Sequence, residues 1–291
     1  MKQLLILSGK GGTGKTTVAS AFIKLSNAKA YADCDIDAPN LHLISGDELG
    51  KPAKSEFYGL DKAYIDQEKC IECDKCFKYC RFDAILKDDG YSVDAYACEG
   101  CGVCEYVCPM GAISMKPYVD GDLMLYSGGG KAFSTAKLKM GSGTSGLLVS
   151  EVKKELKVNA PSDADIAIID GSPGIGCPVI ASISGVDMVL IVAEPSISGI
   201  SDMERIVKTA KRFGVKIAVC INKFDTNLKN TEKIKEFCKE NELSLTGEIP
   251  FDKEAVKMVN LGKSIVDTET LSGNAVKKVY EKTLNLLNKG E

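Results

Sequence analysis

The chain has 291 residues, 44% apolar and 26% charged, a balance that suits one large or two smaller folded domains and excludes a disordered or fibrous protein. Its formal net charge of -3 is small and mixed in sign, which leaves no concentrated basic face for nucleic-acid phosphates. No run approaches the ~20 continuous apolar residues that a membrane span needs, and residues 1–8 lead directly into a glycine-rich loop with no small-residue cleavage site behind them. The expectation is a protein of the reducing cytoplasm, with neither nucleic acid nor membrane as a partner.

Met1 to Ser8 is an apolar run of strand length. It opens into Ser8-Gly9-Lys10-Gly11-Gly12-Thr13-Gly14-Lys15-Thr16-Thr17, and a helical pattern follows. Strand, glycine-rich loop and helix in that order form the context of a phosphate loop. The backbone of Gly11, Gly12, Thr13 and Gly14 can point N–H groups at an anion, Lys15 adds charge at the outer phosphates, and the Thr16 hydroxyl can ligate Mg2+, with Thr17 next to it. A second strand, Lys29 to Asp33, ends in Asp33-Cys34-Asp35-Ile36-Asp37.

Eight of the twelve cysteines then fall between Cys70 and Cys108. This block, residues 60–116, repeats itself with an offset of 28: Ile65-Asp66 answers Val93-Asp94, Cys70 answers Cys98, and Ala84-Ile85 answers Ala112-Ile113. The two halves carry Cys70-x2-Cys73-x2-Cys76-x3-Cys80 and Cys98-x2-Cys101-x2-Cys104-x3-Cys108-Pro109. That spacing resembles bacterial two-cluster ferredoxins, in which three thiolates of one tight loop cap a cubane and the fourth serves the other cluster. The resemblance implies one [4Fe-4S] cluster on Cys70, Cys73, Cys76 and Cys108 and a second on Cys80, Cys98, Cys101 and Cys104. Arg81 stands where the first half would carry its proline. All-cysteine zinc sites are the competing reading, but they show separated Cys-x2-Cys pairs rather than three cysteines in succession.

Beyond Pro117, Ser127 to Gly146 is rich in Gly, Ser and Lys and reads either as a linker or as a functional loop set by the helical pattern Leu147 to Leu156. Apolar runs Asp165 to Asp170, Met188 to Ala193 and Lys216 to Ile221 alternate with helical patterns, which implies an α/β fold with a mostly parallel sheet covered by helices on both faces. Ser272 to Asn288 closes the chain with a helical stripe of Val276, Val279, Tyr280, Leu284 and Leu287 that reads as core packing. The expected domains are a discontinuous P-loop ATPase unit, 1–59 and 117–291, interrupted by a small α+β ferredoxin-like unit, 60–116. Cys34, Cys220 and Cys238 read as small buried hydrophobes.

The extra lysine, Lys10, gives the phosphate loop a narrower resemblance, to the deviant Walker A ATPases, among them the nitrogenase iron protein, the Mrp-type carriers and the MinD and ParA ATPases. That resemblance implies that Lys10 reaches a partner protomer's ATP. It also implies that Asp35 orients the attacking water, that Asp170 of Asp170-Gly171-Ser172-Pro173-Gly174 sits near Mg2+, and that the Gly174 backbone senses the γ-phosphate. Asn222, in Asn222-Lys223-Phe224-Asp225, would meet adenine; the same letters also fit a guanine-reading motif, and Lys10 with the Ile249-Pro250-Phe251-Asp252 segment favours ATP, with Pro250 at the base. Cys177 lies seven residues after Asp170, where the nitrogenase iron protein places a ligand of its bridging cluster, though the companion cysteine has no counterpart here. It stands as either an interface thiol or packing.

These readings converge on an ATPase dimer, of identical or related chains, that gates electron transfer through two clusters to or from a redox protein. A cluster carrier serving a metalloprotein client is the alternative, weakened by the absence of the Mrp-type C-terminal Cys-x2-Cys; a positioning ATPase ranks third.

Overall fold

A computed structural model describes residues 1–45 and 49–289. In chain order its elements are β1 (Lys2–Leu7), α1 (Lys15–Ser26), β2 (Ala30–Asp33), α2 (His42–Ser45), β3 (Ala53–Tyr58), β4 (Lys62–Ile65), α3 (Lys75–Tyr79), β5 (Ile85–Leu86), β6 (Ser92–Val93), α4 (Val103–Val107), β7 (Ile113–Lys116) and β8 (Val119–Gly128). There follow β9 (Lys131–Leu138), α5 (Ser145–Asn159), β10 (Ile166–Asp170), α6 (Cys177–Ile183), β11 (Met188–Ala193), α7 (Ile197–Arg212), β12 (Lys216–Asn222), α8 (Leu228–Glu240), β13 (Ser244–Ile249), α9 (Lys253–Asn260) and α10 (Leu271–Asn288).

One nine-stranded sheet organises most of the chain, in the order β13-β12-β11-β1-β10-β2-β9-β8-β3. Strands β13 through β9 are parallel, and β8 and β3 continue the sheet antiparallel at one edge. The central strands are buried on both faces, which is why they read as continuous apolar runs rather than alternating ones. Within β1, Leu5 and Leu7 join the core under α5 to α8, while Leu4 and Ile6 join the core under α1 and α10. The α/β P-loop fold expected from the sequence is thus the observed one, and Val276 and Val279 of α10 pack as that stripe implied.

The segment Ser127 to Gly146 departs from its reading as an irregular stretch. Most of it is the β8–β9 hairpin, and Gly129 and Gly130 are its two turn residues, both at positive φ (55° and 74°) as a tight hairpin demands. Ser134 and Thr135 are buried in β9 beside β2, so their polarity disguised a sheet interior. Only Lys139 to Thr144 remains as loop before α5.

Residues 62–116 form two two-stranded antiparallel sheets, β4-β7 and β5-β6, around a small core of their own. The internal repeat shows in the backbone: Asp66 N donates to Ala112 O and Asp94 N to Ala84 O, both at 2.8 Å, while Cys70 N donates to Asp66 O as Cys98 N does to Asp94 O. Each half therefore lends a strand to the other, as a pseudo-twofold pair.

Phe133 of β9 is fully buried and stacks on Tyr31 of β2 and Tyr126 of β8, with ring centroids 4.9 and 5.2 Å away. Phe133→Ala should cost about 3–5 kcal/mol in urea unfolding, the loss for a large core aromatic, and a near-neutral result would mean that the hairpin does not belong to the sheet core.

Candidate functional site

The carboxyl ends of β1, β2 and β10 meet where ligands bind in open α/β sheets. The loop after β1 wraps a cleft lined by Gly11 to Thr17, Lys10, Asp35 and Pro173. Asp170, at the end of β10 and fully buried, accepts hydrogen bonds from Lys15 Nζ at 2.5 Å and Thr16 Oγ1 at 2.6 Å. Burial pulls the Lys15 ammonium down, yet the carboxylate of Asp170, aided by Asp33 and Asp35, outweighs it and holds the lysine above its ordinary value. A hydroxyl and a carboxylate placed together are hard oxygen donors of the kind Mg2+ takes. Thr13 Oγ1 is buried in this loop without a hydrogen-bond partner among the described residues, a polar group left for an incoming anion.

Asp33 ends β2 and was not singled out from the sequence. Its carboxylate accepts from the N–H groups of Asp35, Asn40 and Leu41 at 3.0, 2.9 and 2.9 Å, so it shapes the turn that carries Asp35 to the cleft. Burial, reinforced by the neighbouring Asp170 charge, pushes Asp33 up to about 7. Asp35 is also raised, chiefly by burial. Gly174 sits at φ 95° and donates its N–H to Ser8 O at 3.1 Å, tying the segment after Asp170 to the phosphate loop.

Lys10 is held within its own chain. Its Nζ lies 2.9 Å from Glu194 Oε1, 3.2 Å from Ser196 Oγ and 3.1 Å from Ser198 Oγ. Glu194, just past β11, escaped the sequence reading because nothing local marks it; the ion pair spans 184 residues. On the other side of the loop, Asn222 Nδ2 donates to Thr13 O at 2.6 Å and Lys223 Nζ to Gly12 O at 2.7 Å. Gly14, at φ 92°, lies so close to Asn222 that any Cβ would collide with the amide. Asn222 and Pro250 share a second pocket that opens beside Gly12 and Gly14. Asp225 is turned away to accept the Phe251 N–H at 2.7 Å.

The cysteines of residues 70–108 ring two small cavities of equal size, about 20 Å3 each. Cys70, Cys73, Cys76 and Cys108 line the first, and Cys80, Cys98, Cys101 and Cys104 line the second. Each cavity thus takes three cysteines from one loop and the fourth from the other half. Eight free thiols in two quartets are the soft donor set that iron–sulfur clusters use, and the residues present fit two such groups.

A model of the CobQ/CobB/MinD/ParA nucleotide-binding domain matches residues 4–265. The chain belongs to that family. It is 31% identical to an uncharacterized protein of Methanocaldococcus jannaschii over 284 residues, 96% of this chain and 95% of the relative. Its fold is similar to that of the cell division ATPase MinD of Pyrococcus furiosus, with a TM-score of 0.58 at 19% identity over 98% of this chain and 99% of that one. A 55-residue stretch, 19% of this chain, is 40% identical to pyruvate synthase subunit PorD of Methanothermobacter marburgensis and covers 65% of it. This chain is therefore a P-loop nucleotide-binding protein. Among the described residues no helix is long and apolar enough to cross a membrane.

One loop joins the two sites. In the Lys139–Thr144 loop, Gly141 lies against the Tyr96 ring and Gly143 against the Glu99 carboxylate, both in the cysteine-rich segment, and in the first turn of α5, which the loop opens, Gly146 lies against Cys177. Cys177 is exposed at the first turn of α6. Cys34, Cys220 and Cys238 are buried, and burial pushes their thiols up to about 12, 12 and 11, the state of an inert packing cysteine.

Folded Asp33 keeps a proton that the unfolded chain releases near its ordinary value of 3.8, so its contribution to stability is full below about pH 4 and is lost as pH rises toward 7. In nucleotide-free protein, Asp33→Asn should flatten the fall in urea-unfolding stability between pH 4 and pH 7; parallel wild-type and variant curves would contradict the assigned shift.

Proposed function

We propose that this chain is an ATP-hydrolysing iron–sulfur protein in which nucleotide-driven pairing of protomers gates one-electron transfer through two [4Fe-4S] clusters held by the inserted residues 60–116. The observation that carries this reading is the Lys139–Thr144 loop with the first turn of α5, which together touch Glu99 beside two cysteines of the second cavity and, through Gly146, Cys177 just beyond Asp170 and Gly174. A change at the phosphate loop thereby has a packed route to one cluster site.

In this account Lys15 and Thr16 exchange Asp170 for phosphate and Mg2+ when the nucleotide enters, and Asp35 orients the water that attacks the γ-phosphate. Lys10 leaves Glu194 for the nucleotide of the facing protomer, where a cation of this kind raises phosphoryl transfer by about 10^3 to 10^5. Exposed Leu147, Ile175 and Ile180 near Cys177, and Ile197 between the serines that hold Lys10, give the pairing face apolar area. Asn222 and Pro250 wall the adenine side, and Asp225 accepts the Phe251 N–H rather than lining that pocket, which favours ATP. When bound, the clusters would supply low-potential one-electron storage. The thiolates that hold them are Cys70, Cys73, Cys76 and Cys108, and Cys80, Cys98, Cys101 and Cys104.

Anaerobically purified protein should contain about eight irons per chain, and Cys108→Ser should perturb the same cluster as Cys70→Ser rather than its neighbour. Zinc, or one cluster alone, would sink the iron–sulfur assignment. Reduced protein should pass electrons to a one-electron protein acceptor at least tenfold faster with MgATP than with MgADP, and Lys15→Ala should abolish the difference; equal rates would refute gating. Lys10→Ala should still bind ATP while losing on the order of 10^3 in hydrolysis rate.

A further inference from the structure

The duplicated halves are equivalent in backbone and cysteines but not in charge. Lys62 opens β4 and is only 8% exposed, an unusual place for a lysine without a carboxylate partner. Its Nζ donates to the carbonyl of Cys98, and among the described residues no carboxylate forms an ion pair with it. The adjacent Ala63 lines the cavity ringed by Cys80, Cys98, Cys101 and Cys104. At the 28-residue offset, the position matching Lys62 is Gly90, so the other half carries no cation there.

Resting on the iron–sulfur reading above, we propose that Lys62 raises the reduction potential of the cluster held by Cys80, Cys98, Cys101 and Cys104, so that the first electron added to the chain settles at that site. Reduction adds one negative charge to a cluster, and a buried positive charge close by stabilises the reduced form because little water screens it. The other charges near the cavities are weaker influences. Glu99 lines the second cavity, and Glu72 and Lys75 the first, but all three are exposed to water and screened. Asp74, also at the first cavity, is paired with Lys87 at 2.8 Å and bonded to the Tyr91 hydroxyl. Asp120, buried near Gly59, keeps its charge but lines neither cavity, and it accepts from Ser142 Oγ at 3.0 Å and Thr144 Oγ1 at 2.7 Å outside the cysteine-bearing loops. Lys62 is thus the buried charge that contacts a cluster-bearing loop, and the site it favours is the one in contact with the Lys139–Thr144 loop. The electron is thereby placed at the cluster whose loop carries Glu99, the residue that Gly143 lies against.

The test is a reductive titration of the intact protein with titanium(III) citrate, followed by electron paramagnetic resonance. Cys101→Ser and Cys73→Ser identify which signal belongs to which site. In wild-type protein the signal altered by Cys101→Ser should appear first. Lys62→Gln and the apolar, similarly shaped Lys62→Met should lower the reduced-to-oxidised ratio of that cluster at fixed potential by tenfold or more, about 59 mV for one electron, and leave the other unmoved. Lys62→Arg should restore the wild-type order. A wild-type order that is reversed, or potentials unmoved by Lys62→Gln and Lys62→Met, overturns the proposal. Iron and sulfide analysis keeps the two readings apart: absence of iron from wild-type protein defeats the cluster assignment itself, whereas full iron with unmoved potentials defeats only the role of Lys62.

Discussion

An ammonium and a carboxylate, both withdrawn from water, hold the centre of this molecule. Lys15 and Asp170 meet at 2.5 Å with side chains 5% and 0% exposed. Taking two charges out of water costs several kcal/mol per ion, and their attraction offsets that cost only while each keeps its partner. The pair therefore cannot open unless something of equal charge replaces each half. A phosphate for the lysine and a divalent cation for the carboxylate meet that condition together, which makes the nucleotide complex, and not the bare anion, the natural replacement. Asp33 lies close enough to Asp170 to be raised by it, so the same exchange of charge reaches the turn that bears Asp35.

From this pair the structure offers a continuous mechanical path. Gly171 N donates to Ile6 O and Gly174 N to Ser8 O, which binds the segment after Asp170 to the end of β1 and the start of the phosphate loop. Three residues further on, Cys177 begins α6 against Gly146, and Lys153 of α5 donates to the carbonyls of Ala181 and Ser182 in the last turn of α6. Helices α5 and α6 are thereby clamped as one body, and the loop that opens α5 rests on Tyr96 and Glu99. The glycines of this loop allow backbone to approach side chains at van der Waals distance, where bulkier residues would hold the two units apart.

What the sequence made legible follows from locality. The phosphate loop, the two cysteine quartets and their exchange between halves, and the parallel strands all rest on residues adjacent in the chain or repeated at a fixed offset. The edge of the sheet was not legible. In β9, Ser134 and Thr135 occupy buried positions and give a polar pattern to what is an interior strand, while Gly128-Gly129-Gly130 imitates a linker. Asp33, Glu194 and Lys62 were missed for another reason. Each acquires its meaning from a partner far along the chain or across the fold: Asp170 for Asp33, Lys10 for Glu194, and the Cys98 carbonyl for Lys62. A carboxylate at a strand end or a lysine at a strand start has no local signature that separates it from a solvated one.

Amide hydrogen exchange tests most directly the physical continuity between the nucleotide site and the cysteine-rich segment. Addition of MgATP should change exchange not only in the phosphate loop and the 170–177 segment but also, in step with them, in residues 139–146 and 96–101. Changes confined to the phosphate loop and residues 170–177, with 139–146 and 96–101 exchanging as in nucleotide-free protein, would contradict coupling between the two sites.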